Sequence, residues 1–281
     1  MNPYNLNKKK VWIAGSTGLT GKAISRRLKL ENCKILKTDR NELNLCSQND
    51  VYQWVNKNKP DVIIVCAGRC GGIKANINYP YEFLYENIMI KTNIVFAAFK
   101  HNVEKLLMLG SSCIYPRECP QPMSEGMLMS GKLEPTNQFY ALSKIIGLKL
   151  CESLNIQYNK NFVSVIPCNL YGPHDSFHEI NSHVPAALLN KFHKAKISDS
   201  KNVKVWGTGK VIREFLHIDD FADACVYILK NYNGKEIVNV GSGKGIKIKE
   251  FAELIKETVG YKGKIIFDKK SKDGMPEKVL N

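Results

Sequence analysis

The chain has 281 residues, of which 44% are hydrophobic, enough to bury one large core or two smaller ones. It contains no run of about 18 apolar residues that could span a membrane, and its polar start, residues 1–10, lacks a signal-peptide core. The formal charge of +15 comes from scattered lysines without a stacking motif or a recognition helix, so no nucleic-acid function is predicted. A positive potential of this kind instead favours the capture of polyanionic small molecules.

The nine cysteines indicate the compartment. Their number is odd, no Cys-x-x-Cys pair occurs, and several lie within apolar runs, where a reduced thiol packs as a small hydrophobic group. Cysteine usage of this kind is typical of a reducing environment. The sequence therefore predicts a cytoplasmic protein with free thiols and without a metal site.

The first predicted strand, residues 11–14, runs directly into a glycine-rich loop. A strand, a glycine turn and a helix in this order place backbone N–H groups and a helix N-terminus against a pyrophosphate. The loop therefore predicts a dinucleotide-binding site. Its candidate residues are Gly15, Ser16, Thr17, Gly18, Leu19, Thr20 and Gly21.

The second predicted strand, residues 33–38, ends at two further candidate cofactor-binding residues, Asp39 and Arg40. An acidic residue at this distance from the glycines holds the ribose 2′-hydroxyl of NAD, whereas an Arg accepts the 2′-phosphate of NADP. The chain carries both side chains. The spacing by itself leaves both cofactors open.

Helices and strands then alternate as far as residue 166. Helices are predicted over 49–59, 81–102 and 138–155, and strands over 61–66, 105–109 and 162–166. This alternation predicts an α/β fold with a doubly wound parallel sheet. The helix 81–102 is apolar around most of its surface, so it is expected to pack on a partner as well as on the sheet.

The stretch from Gly110 to Lys144 predicts an active site. Tyr140 and Lys144 lie four residues apart, so a helix places both on one face. An ammonium beside a phenol favours the phenolate and is expected to lower the pKa of Tyr140. Ser111, at the mouth of the preceding strand, completes a proton-transfer group that can polarise a carbonyl.

The alternation stops after the strand that ends near Pro167. A loop with three histidines, a helix over 184–195 and a strand over 203–206 follow, and we interpret them as a substrate-binding cap. A helix over 221–230 comes next, with Asp219 or Asp220 placed to cap it. Further elements are a strand over 236–240, a helix over 249–259 and a strand over 264–267, and residues 269–281 are predicted to be irregular.

Two interleaved domains are expected from this order of elements. Residues 1–168 and about 215–242 are assigned to a Rossmann domain that binds NADP(H). Residues from about 169 to 214 and from 243 to 281 are assigned to a smaller α/β domain that binds substrate.

Several longer segments make the chain resemble the extended short-chain dehydrogenase/reductases, and within them the GDP-L-fucose synthase family. They are Leu109-Gly-Ser-Ser-Cys-Ile-Tyr-Pro116, Leu133-Glu-Pro-Thr-Asn137, Asn169-Leu-Tyr-Gly-Pro-His-Asp175, Asn181-Ser-His-Val184 and Arg213-Glu-Phe-Leu-His217. The pair of Cys113 and His183 is the most specific part of the likeness. The resemblance implies NADPH-dependent 3,5-epimerisation and 4-keto reduction of a GDP-linked 4-keto-6-deoxy sugar by a homodimer.

The resemblance also implies roles for individual residues. Tyr140 would protonate the C4 oxygen, Lys144 would assist it and hold the nicotinamide ribose, Ser111 would hydrogen-bond the same oxygen, and Cys113 and His183 would carry out the epimerisations. The further cofactor-binding positions are Leu109, Gly110, Ser111, Ser112, Lys144, Pro167, Asn169, Leu170 and His183. The substrate-binding positions are Lys191, Trp206 and Arg213.

Epimerisation next to a ketone needs a base on one face of the carbon and an acid on the other. Protons at C3 and C5 lie beside the C4 ketone, so removing either gives an enolate. A thiol and an imidazole both titrate near neutrality and suit this task.

The chain departs from the family pattern at four places. Asp39 precedes Arg40, Ser16 and Thr17 stand where a basic residue is common, Lys191 replaces an Arg, and relatives continue beyond Asn281. We therefore expect NADPH to be preferred by less than is usual, with NADH usable. Two alternatives stay open: an epimerase/reductase of another nucleotide-linked 4-keto-6-deoxy sugar, and a catalytically inactive cofactor-binding relative.

Overall fold

The computed structural model describes residues 3–178, 182–271 and 273–281. Its strands are β1 (Lys10–Ala14), β2 (Lys34–Lys37), β3 (Val62–Val65), β4 (Lys105–Leu109), β5 (Phe162–Pro167), β6 (Asn169–Tyr171), β7 (Asn202–Trp206), β8 (Ile212–His217), β9 (Val238–Val240), β10 (Gly245–Lys247), β11 (Lys264–Asp268) and β12 (Glu277–Lys278). Its helices are α1 (Leu19–Leu28), α2 (Gln48–Asn58), α3 (Ile73–Asn78), α4 (Pro80–Lys100), α5 (Gln138–Tyr158), α6 (Val184–Ile197), α7 (Ile218–Asn231) and α8 (Ile248–Val259).

Six of these strands form one parallel sheet in the order β2-β1-β3-β4-β5-β9. β3, β4 and β5 are buried along their whole length, as expected of strands that helices cover on both faces. The strand order reverses at β1, because β2 lies on one side of it and β3 on the other. A crevice forms at the carboxyl end of β1 for this reason. The predicted doubly wound parallel sheet is confirmed.

Neighbouring residues of β1 point to the two faces of the sheet and enter different cores. Ile13 packs with Ile24 of α1 and Phe221 of α7 in one apolar cluster. Trp12 packs in the other cluster with Val95 of α4, which lies beside α2 and α5. The sheet is therefore the middle of three layers, and no helix of the described residues is long and apolar enough to cross a membrane.

The start of α7 differs from the prediction. The helix begins at Ile218, and its N-cap is His217, whose Nδ1 accepts the N–H of Asp219 at 3.3 Å. The prediction that an Asp caps this helix is therefore wrong. Asp219 lies in the first turn, where a carboxylate interacts favourably with the helix dipole, and it bonds Arg26 of α1 at 2.5 Å.

A smaller apolar core lies outside the main sheet. Phe192 of α6, Val203 and Val205 of β7 and Ala252 of α8 are buried together there. β7 pairs with β11, and β8 pairs with β6, β10 and β12. The short elements α3, β6 and β10 were not predicted from the sequence, and the proposed domain boundaries stay predictions.

The last residues of the chain are not wholly irregular, contrary to the prediction for 269–281. β12 pairs in parallel with β8 in a register that sets Lys278 beside Arg213. Leu280 then bridges to Met123, and its N–H donates to the buried carboxylate of Glu214 at 2.9 Å. Two residues carry no detectable periodicity, so only these long-range contacts reveal the strand.

Candidate active site

The glycine loop after β1 is packed too closely for side chains at two positions. Gly15 has a φ of +88°, and a Cβ on it would lie 2.6 Å from the backbone nitrogen of Ala67. A Cβ on Gly21 would lie 2.2 Å from the carbonyl oxygen of Gly15. The loop is thereby held against the end of β3 and the start of α1, with Thr17 and Gly18 exposed. This cradle of backbone N–H groups at a helix N-terminus fits the pyrophosphate of a dinucleotide.

The end of β2 lies beside this loop. The buried hydroxyl of Ser16 donates to the carbonyl oxygen of Thr38 at 3.2 Å. The next residue, Asp39, turns its carboxylate towards its own turn and accepts the N–H groups of Asn41 at 2.8 Å and Glu42 at 3.1 Å. Arg40 is exposed. The local bonds of Asp39 leave Arg40 as the side chain better placed for a ribose phosphate.

Tyr140, Lys144, Ser111 and Cys113 come together where β4 meets α5. Lys144 Nζ donates to the carbonyl oxygen of Leu109 at 2.9 Å and lies 5.6 Å from the centre of the Tyr140 ring. Ser111 Oγ accepts the N–H of Cys113 at 3.3 Å, at the start of the short 3₁₀ turn Ser112–Ile114. The carboxyl end of a parallel strand thus delivers these groups to the edge of the sheet that holds the glycine loop.

The protonation of Tyr140 differs from the prediction. Burial raises the pKa of its phenol well above the ordinary value, and the nearby thiols of Cys70 and Cys113 raise it further, while a hydrogen bond with Ser111 acts in the opposite direction. Burial also lowers the pKa of Lys144. The prediction that Lys144 lowers the pKa of Tyr140 is therefore wrong, because desolvation dominates. The phenol keeps its proton and is suited to donate it.

Cys113 has two polar partners that sequence reasoning did not identify as functional. Asn137 Nδ2 lies 3.2 Å and Lys278 Nζ lies 3.1 Å from Cys113 Sγ. Burial raises the pKa of the Cys113 thiol, but the charges of Lys278 and Arg213 and bonds from Ser111 and Lys278 outweigh it, so the net pKa is lowered. No sequence signal links Lys278 to Cys113, since 165 positions separate them.

His183 occupies the N-cap position of α6, but its imidazole makes no capping hydrogen bond. The side chain is accessible to solvent while protein atoms crowd it. This crowding lowers the pKa of the imidazole, Asp175 raises it and the charge of Lys278 lowers it. The imidazole is therefore neutral at physiological pH, and Lys278 acts on both predicted epimerisation groups. Asn181 of the same motif lies outside the described residues.

Trp206, one of the predicted substrate-binding residues, is flanked by two lysines. Its ring centre lies 4.6 Å from Lys191 Nζ and 5.0 Å from Lys74 Nζ, and 43% of the residue is exposed. Lys191 also donates to the carbonyl oxygen of Lys204. Lys74 was not predicted, because it lies in α3, 132 positions before Trp206 in the chain.

The guanidinium of Arg213 is partly exposed and also donates hydrogen bonds within the protein. Its guanidinium donates to the carbonyl oxygens of Ile212 at 2.7 Å and Asp273 at 3.2 Å. A guanidinium has five N–H donors, so further donors remain for a phosphate. Arg213 thereby ties the C-terminal segment to β8.

The residues predicted to contact the cofactor from β5 and β6 lie at the carboxyl end of the sheet. Pro167 ends β5, and Asn169 begins β6 and donates from Nδ2 to the carbonyl oxygen of Glu214 at 2.8 Å. Leu170 follows in β6. A further side chain that was not predicted, Cys70, places its exposed sulfur 3.6 Å from the hydroxyl of Tyr140.

Comparison with known families identifies the class of this protein. Residues 11–241 match the NAD dependent epimerase/dehydratase family. The match spans the glycine loop, the Tyr140 and Lys144 pair and most of the smaller core. The chain therefore belongs to the NAD dependent epimerase/dehydratase family.

The individual relatives that resemble this chain include several enzymes that act on GDP-linked sugars. GDP-L-fucose synthase 1 of Arabidopsis thaliana is 48% identical over 274 residues, which are 97% of this chain and 84% of that protein. A GDP-6-OMe-4-keto-L-xylo-heptose reductase from C. jejuni superposes with a TM-score of 0.93 at 32% identity, over 100% of this chain and 91% of that one. A GDP-L-fucose synthetase from Naegleria fowleri bound to NADP has a TM-score of 0.90 at 28% identity, over 100% and 86%. The family resemblance drawn from the motifs is confirmed.

Proposed function

We propose that the protein is an NADPH-dependent epimerase/reductase that converts GDP-4-keto-6-deoxy-D-mannose into GDP-L-fucose. The observation that carries this proposal is the joining of two chemistries in one cleft. A half-buried, protonated Tyr140 beside Ser111 and Lys144 serves reduction, and a thiol with a lowered pKa at Cys113 serves epimerisation. The 48% identity to a GDP-L-fucose synthase supports the choice of substrate.

The glycine loop and Arg40 hold the cofactor in this proposal. The cradle formed by Gly15 and Gly21 receives the pyrophosphate, and Arg40 receives the 2′-phosphate while Asp39 is held in its own turn. Lys144, fixed by its bond to Leu109, binds the nicotinamide ribose. When bound, NADPH supplies the hydride for C4.

Cys113 and His183 form the acid–base pair of the epimerisation. They exchange protons at C3 and C5 from opposite faces of the sugar, while Ser111 and Tyr140 hydrogen-bond the C4 oxygen and stabilise the enolate. Tyr140 then donates its proton to the C4 oxygen as the ketone is reduced. The raised pKa of Tyr140 keeps that proton available at neutral pH.

Trp206, Lys191 and Arg213 bind the nucleotide part of the substrate. The exposed Trp206 ring offers an aromatic surface to a purine, and the two cations suit a diphosphate. Lys74 adds a third positive charge beside the same ring.

A direct assay tests the proposed function. The protein is incubated with GDP-4-keto-6-deoxy-D-mannose and NADPH, the oxidation of NADPH is followed, and the product is identified by NMR. GDP-L-fucose is the expected product, and Tyr140→Phe should form it at a strongly reduced rate. A wild-type protein that binds NADPH but converts none of this substrate would favour the inactive relative.

A second candidate substrate comes from the structural comparison. The C. jejuni reductase, whose described substrate is a GDP-linked 4-keto-heptose, superposes with a TM-score of 0.93 over the whole chain. A GDP-linked 4-keto-heptose is therefore the second substrate to assay. A higher kcat/KM for the heptose than for the 6-deoxy sugar would reassign the substrate.

We also propose that the protein is a cytoplasmic homodimer. All nine cysteines are free, as in a reducing compartment. The two longest helices, α4 and α5, pack together and expose apolar side chains on their outer surfaces. These are Tyr81, Tyr85, Phe96, Phe139, Leu142, Ile156 and Tyr158. Pairing this surface with its copy would remove it from water.

A further inference from the structure

The sulfur of Cys113 faces the ammonium group of a lysine from the far end of the chain. Lys278 Nζ lies 3.1 Å from Cys113 Sγ. A lysine ammonium can only donate hydrogen bonds, so the sulfur must accept this one, and an anionic sulfur is a far better acceptor than a neutral thiol. Asn137 Nδ2 also points at the sulfur, at 3.2 Å. The geometry therefore favours a thiolate.

Lys278 is fixed in place. Only 8% of the residue is exposed, and β12 holds its backbone against β8. On the C-terminal side, the N–H of Val279 donates to Gln121 Oε1 at 3.0 Å, and the N–H of Leu280 donates to Glu214 Oε2 at 2.9 Å. Little side-chain freedom remains to be lost when its ammonium meets the sulfur.

The charge of Lys278 is directed at the cleft. Within the described ranges, no carboxylate lies within 4.0 Å of its ammonium, which is the distance of an ion pair. Its nearest described anionic candidate is the sulfur of Cys113 itself. A buried ammonium without a carboxylate partner is stabilised by a thiolate, and the thiolate is stabilised in return.

We propose that Lys278 is a positioning residue that holds Cys113 as a thiolate and so makes Cys113 the base of the epimerisation. The assignment of the base rests on the proposed function, whereas the thiolate itself does not. In the step, the C–H bond at C3 or C5 breaks and an S–H bond forms. The electron pair of the C–H bond stays on the sugar as an enolate, which takes a proton on its opposite face.

The other ionisable groups around the sulfur of Cys113 cannot take over the stabilisation of a thiolate from Lys278. Arg213 of β8 lowers the pKa of Cys113 less than Lys278 does, and it is bonded to backbone carbonyls. On α5, the phenol of Tyr140 is protonated and therefore neutral, and the ammonium of Lys144 is bound to Leu109. At the N-cap of α6, the imidazole of His183 is neutral. Lys278 is the cation in direct contact with the sulfur.

Alkylation of Cys113 tests this proposal without any sugar substrate. The wild type, Lys278→Met and Lys278→Arg react with iodoacetamide over a range of pH, and peptide mass spectrometry measures the modification of Cys113. Only a thiolate reacts, so the pH of half-maximal rate reports the pKa. We expect this pH to rise in Lys278→Met, with a rate at pH 7 lower by about tenfold or more, and Lys278→Arg to recover most of the loss.

Two controls separate this effect from damage to the fold. Lys269→Met removes a charge from an exposed lysine in the same part of the chain and should leave the alkylation of Cys113 unchanged. Cys151 and Cys225 are fully buried and should stay unmodified as long as the structure is intact, so they serve as the internal reference. An unchanged pH profile for Cys113 in Lys278→Met, with Cys151 and Cys225 still protected, would overturn the proposal.

Exchange of substrate protons tests the assignment of the base. In deuterated buffer, Lys278→Met should lose exchange at C3 and C5 at pH 7 and regain part of it at higher pH. If the wild type shows the low alkylation pH but no exchange, the thiolate stands and the proposed function fails. Normal exchange in a Lys278→Met protein with a shifted alkylation profile would show that Cys113 is not the base.

Discussion

Lys144 Nζ donates a hydrogen bond to the carbonyl oxygen of Leu109 at 2.9 Å. Leu109 is the last residue of β4, and Ser111 and Cys113 follow within four residues. Lys144 lies in α5, one turn after Tyr140. The bond therefore ties the helix that carries Tyr140, the proposed proton donor, to the strand that leads into Cys113, the proposed epimerisation base.

Reduction and epimerisation should separate in two variants. Tyr140→Phe removes the proposed proton donor to the C4 oxygen, so we expect reduction to fall by about 10²–10⁴-fold while deuterium exchange at C3 and C5 persists. Cys113→Ser should show the reverse pattern. NADPH oxidation and NMR of the sugar in deuterated buffer measure the two steps. Normal exchange at both carbons in Cys113→Ser would exclude Cys113 from the epimerisation.

The preference for NADPH should depend on Arg40. Since the carboxylate of Asp39 is bonded to the N–H groups of Asn41 and Glu42, Arg40 is the side chain left for the 2′-phosphate. Arg40→Ala should weaken NADPH by about tenfold or more and leave NADH unchanged. Titration of cofactor fluorescence measures both affinities.

Lys37→Ala provides the control, because Lys37 is also an exposed cation of this edge and precedes the turn by only two residues. It should alter neither affinity. Asp39→Ala should loosen the turn and weaken both cofactors. A wild-type kcat/KM that is higher with NADH would show that Asp39, and not Arg40, faces the ribose.

Gly21 is the most closely packed glycine of the glycine loop, so we expect any side chain at this position to destabilise the protein. A Cβ there would lie 2.2 Å from the carbonyl oxygen of Gly15, and the backbone of the loop must move to admit it. Gly21→Ala should lower the free energy of unfolding by about 1–3 kcal/mol and weaken NADPH binding. Gly126→Ala is the matched control, because a Cβ there meets nothing within 4 Å. Equal stability and affinity in the two variants would contradict the packing.

Lys105 should make the stability of the protein depend on pH above neutrality. Burial lowers the pKa of Lys105 to about 8, against about 10.4 in an unfolded chain. Between pH values of about 8 and about 10.4 the unfolded chain binds a proton at Lys105 that the folded protein lacks, so the free energy of unfolding should rise with pH in this window. As the pH falls back through about 8, this gain in stability is lost. Denaturant unfolding at several pH values measures the slope.

Lys105→Met should remove this part of the slope, whereas Lys34→Met, at an exposed lysine of β2, should keep it. The same slope in Lys105→Met and the wild type would show that Lys105 is charged in the folded state at pH 9. Its bonds to Tyr232 and Asn233 would then be those of an ammonium.

The exposed faces of α4 and α5 should hold two copies of the chain together. Leu142 is 40% exposed on α5, the helix that packs against α4. Leu142→Glu places a charge in that surface and should convert the proposed dimer into a monomer in sedimentation velocity experiments. Leu30→Glu is the control, since Leu30 is 79% exposed just after α1. A wild-type monomer at micromolar concentration would contradict the proposed interface.

The features that could be predicted from the residues alone are local in the chain. The alternation of apolar strands with helices gave the parallel sheet, because the period of a strand and of a helix is written in consecutive residues. The glycine loop was found in the same way, since its tight packing demands glycines at short spacing. The four-residue spacing of Tyr140 and Lys144 placed both on one helix face.

Contacts between distant segments, and the charge states they produce, could not be predicted from local patterns and follow from the fold. Lys278 meets Cys113, Lys74 meets Trp206 and Cys70 meets Tyr140, all across separations that carry no periodic signal. The raised pKa of Tyr140 belongs to the same class, because desolvation depends on every atom packed around the phenol, and the sequence alone, with Lys144 as the visible neighbour, indicates the opposite direction.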